Sequence, residues 1–281
     1  MSGVMQMICA WKQLLNVLPP GIRMQVESDG GETLQELRLR LGSPPEMITA
    51  DGSTWLSGKV GKEEMDFVVN SASQYSPWCT GTMSQGYLTI SGGHRIGICG
   101  SYVPRNGTIG GIQQISSLCI RVARDFPGAA NRASDSDGSI LILGAPGWGK
   151  TTLLRDLARQ ISQRRIVCVV DERGELFPEG IPRGRRMDVL LGCPKTRSIE
   201  MTLRTMGPEY IAVDEITAKE DCDALVQAAN CGVQLLATAH AYGMQDLRNR
   251  PLYQMLLERR IFQTFLLLHK DKSYCVERMV S

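Results

Sequence analysis

The apolar positions change their period part-way along the chain. Before about residue 125 the period is two and the runs are short. In "ELRLRLG" (36–42) leucines alternate with arginines, which predicts a strand with one apolar and one basic face. "GYLTISGGHRIGICGSYV" (86–103) predicts two strands around a Gly92-Gly93 turn, and "SLCIRVARD" (117–125) predicts another. The opening "MSGVMQMICAWKQLLNVLPPG" is expected to be a short amphipathic helix stopped at Pro19-Pro20. Its stripe of Trp11, Leu14, Leu15, Val17 and Leu18 suits either a core or a docking face. With no basic n-region and no long apolar centre, it does not have the form of a signal peptide. Together these pieces predict an α+β domain over residues 1–128. "DFPGAANRASDSDG" (about 125–138), small and polar, is expected to be a linker.

From residue 139 to 281 strand-length apolar runs alternate with helical periods, the pattern of a parallel sheet with helices on its faces. "SILILG", "RIVCVVD", "EYIAVDE", "VQLLATAH" and "RIFQTFLLL" are five expected strands. "KTTLLRDLARQI" carries Leu153, Leu154, Leu157, Ala158 and Ile161 on one helical face, and "KEDCDALVQAANCG" is a helix ended by Gly232.

Composition narrows the classes. Hydrophobic residues at 43% and charged residues at 21% describe an ordinary globular protein, and the net charge of +2 with 6% aromatics gives no footprint for a nucleic-acid partner. The nine cysteines are scattered without a C-x-x-C pair, so reduced thiols in a cytosol are expected and a zinc site is not. No run approaches the roughly 18 apolar residues of a membrane span.

Chemistry enters at "GAPGWGKTT" (144–152). Gly144, Ala145, Pro146, Gly147, Trp148, Gly149, Lys150 and Thr151 fit G-x-x-x-x-G-K-[ST] between an expected strand and an expected helix, with Thr152 next in line. Backbone N–H groups of such a loop turn inward around phosphates. Lys150 supplies a point charge, and the Thr151 hydroxyl is a ligand for Mg²⁺. Trp148 is too bulky for the loop interior and is expected to point away from the phosphates. Downstream, "YIAVDE" delivers Asp214 to the metal and Glu215 to the attacking water. Asp171-Glu172-Arg173-Gly174 fits the D-x-x-G of GTPases, yet no N-K-x-D follows, so ATP is the expected nucleotide. A strand-and-helix unit separates the loop from the Asp-Glu strand. That order predicts a RecA-like P-loop ATPase core whose fourth strand inserts between the first and third, bringing Thr238 and His240 beside a γ-phosphate. A cation for the transition state is expected from a neighbouring subunit. Arg204 is the leading candidate, ahead of Arg197 and the first-domain Arg95 and Arg121. Arg183, Arg185 and Arg186 suit either that role or a solvated loop.

Residues 203–241 resemble the secretion and pilus-assembly ATPases of types II and IV. The resemblance is carried by Leu203-Arg204, Pro208-Glu209, Glu215, the Ala-rich helix and Ala237-Thr238-Ala239-His240-Ala241. "DERGE" (171–175) is similar to the second acidic box of that family, with its first two acids reversed. This leaves open whether Asp171 or Glu172 stands nearer the metal, and Asp214 occupies a position where many relatives have glycine. Together with "GGHRIGICG" and "CIRVARD", these departures resemble the stage III sporulation AA branch. The resemblance implies a homo-hexameric ATPase in the mother-cell cytoplasm, docked on membrane-embedded channel subunits of a sporulation secretion complex. Two other readings compete with such a motor: a nucleic-acid-stimulated ATPase, and a nucleotide-gated scaffold with little turnover.

Overall fold

A computed structural model describes residues 8–9, 11–49, 51–73, 86–105, 108–178 and 180–279. They form two compact units. One comprises Ile8–Asp125 with Pro178–Ile181; the other comprises Phe126–Phe177 and the chain from Pro182 on.

In the first unit β1 (Ile8–Cys9) pairs antiparallel with β8 (Arg124–Asp125). The main sheet comprises β2 (Glu36–Arg40), β3 (Glu46–Thr49), β4 (Gly52–Trp55), β5 (Tyr87–Ile90), β6 (His94–Arg105) and β7 (Thr108–Arg121). It is antiparallel, in the order β4-β3-β2-β7-β6-β5. The alternation in "ELRLRLG" acts as its period requires. Leu37 and Leu39 are fully buried, while Glu36, Arg38 and Arg40 lie on the opposite face. Those arginines are engaged: Arg38 pairs with Glu36 at 2.9 Å and Arg40 with Glu46 at 2.7 Å.

Three helices contribute to the core beneath Leu37 and Leu39: α1 (Trp11–Leu14), α2 (Pro20–Ser28) and α3 (Lys62–Ser73). Leu14, Leu15, Val17 and Leu18 belong to that core, so the stripe is not a docking face. Full burial of a leucine contributes about 1.5–3 kcal/mol, enough to decide the matter. The first helical stretch ends as expected just before the prolines, where Leu18 and Pro19 are extended, and a new helix starts there. Pro20 occupies the first turn of α2, where its missing N–H has no helical partner to lose. Residues 1–7 and 10 of the opening stretch lie outside the described residues. The expectation also lacked α2, α3, β3 and β4.

The second unit is a seven-stranded sheet of β9 (Ile140–Leu143), β10 (Val167–Asp171), β11 (Met187–Leu191), β12 (Tyr210–Val213), β13 (Gln234–Ala239), β14 (Thr264–Leu268) and β15 (Tyr274–Arg278). The order is β11-β10-β12-β13-β9-β14-β15, with every pair parallel except β14 with β15. The insertion of β13 between β9 and β12 is the arrangement the strand order predicted. β9, β10 and β12 are buried at every position, which is why they are continuous apolar runs without alternation. Five helices complete the unit: α4 (Lys150–Ile161), α5 (Lys195–Thr205), α6 (Lys219–Asn230), α7 (Met244–Asn249) and α8 (Pro251–Glu258).

β11 and β15 were not expected. β11 is an edge strand, half-buried and preceded by "RGRR", so it lacks the unbroken apolar run of its neighbours. Its approach is tight, because a Cβ on Gly184 would lie 1.6 Å from the Ser162 hydroxyl. Arg186 donates to the Arg164 carbonyl, while Arg183 and Arg185 are exposed. Residues 126–135 form successive turns packed on α4. Ala130 and Ala133 are buried there, and the Ala130 N–H donates to the buried Asp156 carboxylate at 2.8 Å.

Candidate active site

The charged groups of the site gather at the carboxyl ends of the parallel strands, as open α/β sheets require of a ligand site. β9 leads into the glycine loop, β10 ends in Asp171, β12 runs into Asp214-Glu215, and β13 into His240. The loop turns because Gly147 (φ 75°) and Gly149 (φ 102°) adopt left-handed backbone, which side chains beyond Cα disfavour. α4 begins at Lys150, so its unpaired N-terminal N–H groups face the loop.

Lys150 is 7% exposed, and its ammonium donates to the Ala145 carbonyl at 3.1 Å and to His240 Nδ1 at 3.0 Å. Both acceptors are neutral, and among the described residues no carboxylate forms an ion pair with it. Burial pushes the Lys150 pKa down, against the pull of Asp214 and Glu215. Since an ammonium has no lone pair, His240 Nδ1 must accept, which leaves Nε2–H to donate to Glu215 Oε1. The second oxygen of Glu215 takes Arg173 at 3.0 Å. Burial raises the Glu215 pKa, but the His240 hydrogen bond and the charges of Arg173 and Lys150 outweigh it and hold the carboxyl below its ordinary range. A connected chain thus runs Lys150–His240–Glu215–Arg173.

A second chain runs beside it. The Thr151 hydroxyl donates to Asp214 at 2.8 Å, and the Thr238 hydroxyl donates to the other Asp214 oxygen at 2.7 Å. The donor set of Thr151 and Asp214 is hard oxygen, the chemistry that suits Mg²⁺ held jointly with substrate phosphates. Bound there, the ion would neutralise charge on the phosphates. Thr238 is fully buried and accepts the Glu215 N–H at 2.8 Å, so it fixes the Asp214-Glu215 turn.

The other expected residues fall less centrally. Asp171 is 3% exposed and accepts the backbone N–H groups of Glu175, Leu176 and Phe177, so it folds its own turn. Burial raises its pKa in spite of those bonds. Glu172 is exposed and lines a cleft with Arg173, Lys195, Asp214 and Glu215. Trp148 turns aside and meets Tyr242 edge to face at 5.9 Å. Arg204 is on the exposed side of α5, paired with Glu200, and is not brought to these groups within one chain.

Two participants were missed from the sequence. Arg173 lies inside a quoted motif but had no assigned partner. Lys195, in the loop-like "CPKTR", carried no signal. Its nearly buried ammonium donates to the Glu215 carbonyl at 2.5 Å and to Asp221 at 3.0 Å. Asp221 in turn accepts the N–H groups of Thr217 and Ala218. Glu215 has φ 60°, a left-handed conformation that costs a non-glycine residue about 1–3 kcal/mol. The clamp of Lys195 and Thr238 on its two backbone groups holds it there. Lys195→Met is therefore expected to lower ATP turnover at least about tenfold with little change in nucleotide affinity, since no phosphate group is touched. Steady-state kinetics beside calorimetric binding checks the split, and equal losses in both would refute the positioning role.

Comparison with known proteins identifies the family and the fold. Residues 10–278 match the model of the family described as "Sporulation stage III, protein AA". The chain belongs to that family. Stage III sporulation protein AA of Bacillus subtilis (strain 168) is 35% identical over 280 residues, spanning 92% of this chain and 91% of that protein. Among solved structures, the ATPase DotB of Legionella pneumophila superposes with a TM-score of 0.60 at 18% identity, covering 92% of this chain and 78% of DotB. The pilus retraction motor PilT, solved with bound ADP, gives 0.59 at 15% identity, covering 87% and 77%. The sporulation AA family thus shares the RecA-like fold of the secretion ATPases. Among the described residues no helix is long and apolar enough to cross a membrane.

Proposed function

We propose that this protein is a Mg²⁺-dependent ATPase of the secretion type that works as a homo-hexameric ring. In this reading it acts in the mother-cell cytoplasm against membrane-embedded channel subunits during endospore formation. The observation that carries the reading is the buried Lys150 cation. Its bonds go only to neutral acceptors, next to a hydroxyl–carboxylate pair and a carboxylate of lowered pKa. A site that buries a cation with no carboxylate bonded directly to it is suited to an anion brought from outside, and the loop shape suits phosphates. Glu215 then accepts a proton from the attacking water, and His240 links that carboxylate to Lys150. Family membership supports the sporulation setting, and the fold supports the motor. The first unit is proposed as the partner-contacting part.

Arg204 supports the ring, being exposed and separate from the site of its own chain. Turnover per subunit is expected to rise steeply with protein concentration and then level off. Arg204→Ala is expected to bind ATP normally and to lose turnover by about 10³-fold or more. Mixing it with a variant defective at Glu215 recovers activity, because some interfaces then combine an intact arginine with an intact glutamate. A concentration-independent rate, or no recovery on mixing, overturns the shared site.

A further inference from the structure

The strand order gives the phosphate loop a direction. β13 and β12 lie on one side of β9 and carry His240, Asp214 and Glu215; β14 and β15 lie on the other. A triphosphate whose γ end meets the acids therefore extends its α-phosphate and nucleoside toward β14 and β15. A cavity of about 330 Å³ opens there, lined by Phe126, Trp148, Leu153, Leu268 and Tyr274, with Thr152 and Lys272 at its polar part. That volume lies within the range of about 300–1,000 Å³ of small-ligand sites.

The walls are held in place from outside. Trp148 rests edge to face on Tyr242, and the Arg132 guanidinium lies 5.8 Å from the centre of the Tyr274 ring. Lys272 reaches from the β14–β15 turn to the Gly147 carbonyl, so a cation stands at the edge of the phosphate loop. Among the described residues, none of the side chains lining the cavity is a carboxylate or an amide. A base edge is read by such groups: a carboxylate for guanine N1 and N2 hydrogens, an amide for the adenine amino group. Aromatic faces stack on any base.

We propose that this cavity is a nucleoside subsite that grips a purine by stacking and leaves its edge unread, so that ATP and GTP are both accepted. The proposal rests on the phosphate-site reading above and adds a substrate range to it. It also assigns Trp148 a role at the base end, away from the phosphates.

Calorimetric titration of the full chain with MgADP, MgGDP and inorganic tripolyphosphate tests it. ADP and GDP are expected to bind within tenfold of each other, and both more tightly than tripolyphosphate. Tyr274→Ala weakens ADP and GDP about tenfold or more and leaves tripolyphosphate within twofold. Ala129→Trp, which fills the cavity from a half-buried turn without removing any core group, gives the same pattern and guards against a folding defect in the first variant. A preference for one purine above about a hundredfold overturns the unread edge. Unchanged ADP binding in Ala129→Trp overturns the subsite while leaving the phosphate loop intact. Failure of the parent protein to bind either ADP or tripolyphosphate overturns both.

Discussion

In Glu215→Gln, ATP turnover is expected to fall by about 10²–10⁴-fold while nucleotide affinity stays within a few-fold of the parent. The amide keeps the size of the carboxylate, and its carbonyl can still take the hydrogen bond from Arg173, while its NH₂ no longer accepts from His240; the Thr151–Asp214 pair does not involve Glu215 and is kept. What it loses is the ability to accept a proton from water. The surroundings of Glu215 suit it to act as a base. His240 and Arg173 each bond one of its oxygens, and its pKa is held low, so it is ionised at neutral pH. Radiolabelled or fluorescent nucleotide binding beside phosphate release measures both quantities. Normal turnover in this variant would remove Glu215 as the base, whereas lost turnover in a strain that still sporulates normally would favour a scaffold whose output depends on binding alone.

Lys150→Met is the second large effect. It is expected to weaken ATP binding by about ten- to a hundredfold or more, the value of about 1.5–3 kcal/mol for a charge-assisted hydrogen bond in a shielded site, and to abolish measurable turnover. The nucleotide-free variant is expected to melt no lower than the parent. A lysine whose folded pKa lies below its unfolded one pays for burying its charge at every pH below the folded pKa, so the charge costs stability wherever it is protonated in the fold. That cost falls away as pH rises from the folded to the unfolded pKa, and methionine removes it at any pH. Differential scanning calorimetry on both proteins checks the order. A clear drop in melting temperature would mean that Lys150 holds the fold and that lost binding reports damage.

Much of the second unit was legible because its determinants are local. "SILILG", "RIVCVVD" and "EYIAVDE" are apolar at each strand position, since buried parallel strands need no polar face. The glycine loop needs its residues at fixed spacing, because the left-handed turns at Gly147 and Gly149 and the start of α4 follow within six residues. The acids after β12 and His240 after β13 could be placed beside the loop once the strand order was inferred. The edge strands escaped, since β11 and β15 bury too little to carry an unbroken pattern.

The amino-acid sequence by itself determined the class of fold and the glycine loop, and it singled out Lys150, Thr151, Asp214, Glu215 and His240 as candidates. The tertiary structure decided which groups serve them. Thr238 turned inward to hold Asp214 and the Glu215 backbone. Asp171 closed its own turn, and Lys195, twenty residues from Glu215 in the chain, became its clamp. Tyr274 and Lys272 came to the far side of the loop from the last hairpin. The reason is physical: a loop that binds phosphate is specified by backbone conformation over a few consecutive residues. A hydrogen bond between distant side chains is specified by where the sheet places their backbones, and no spacing in the chain encodes that.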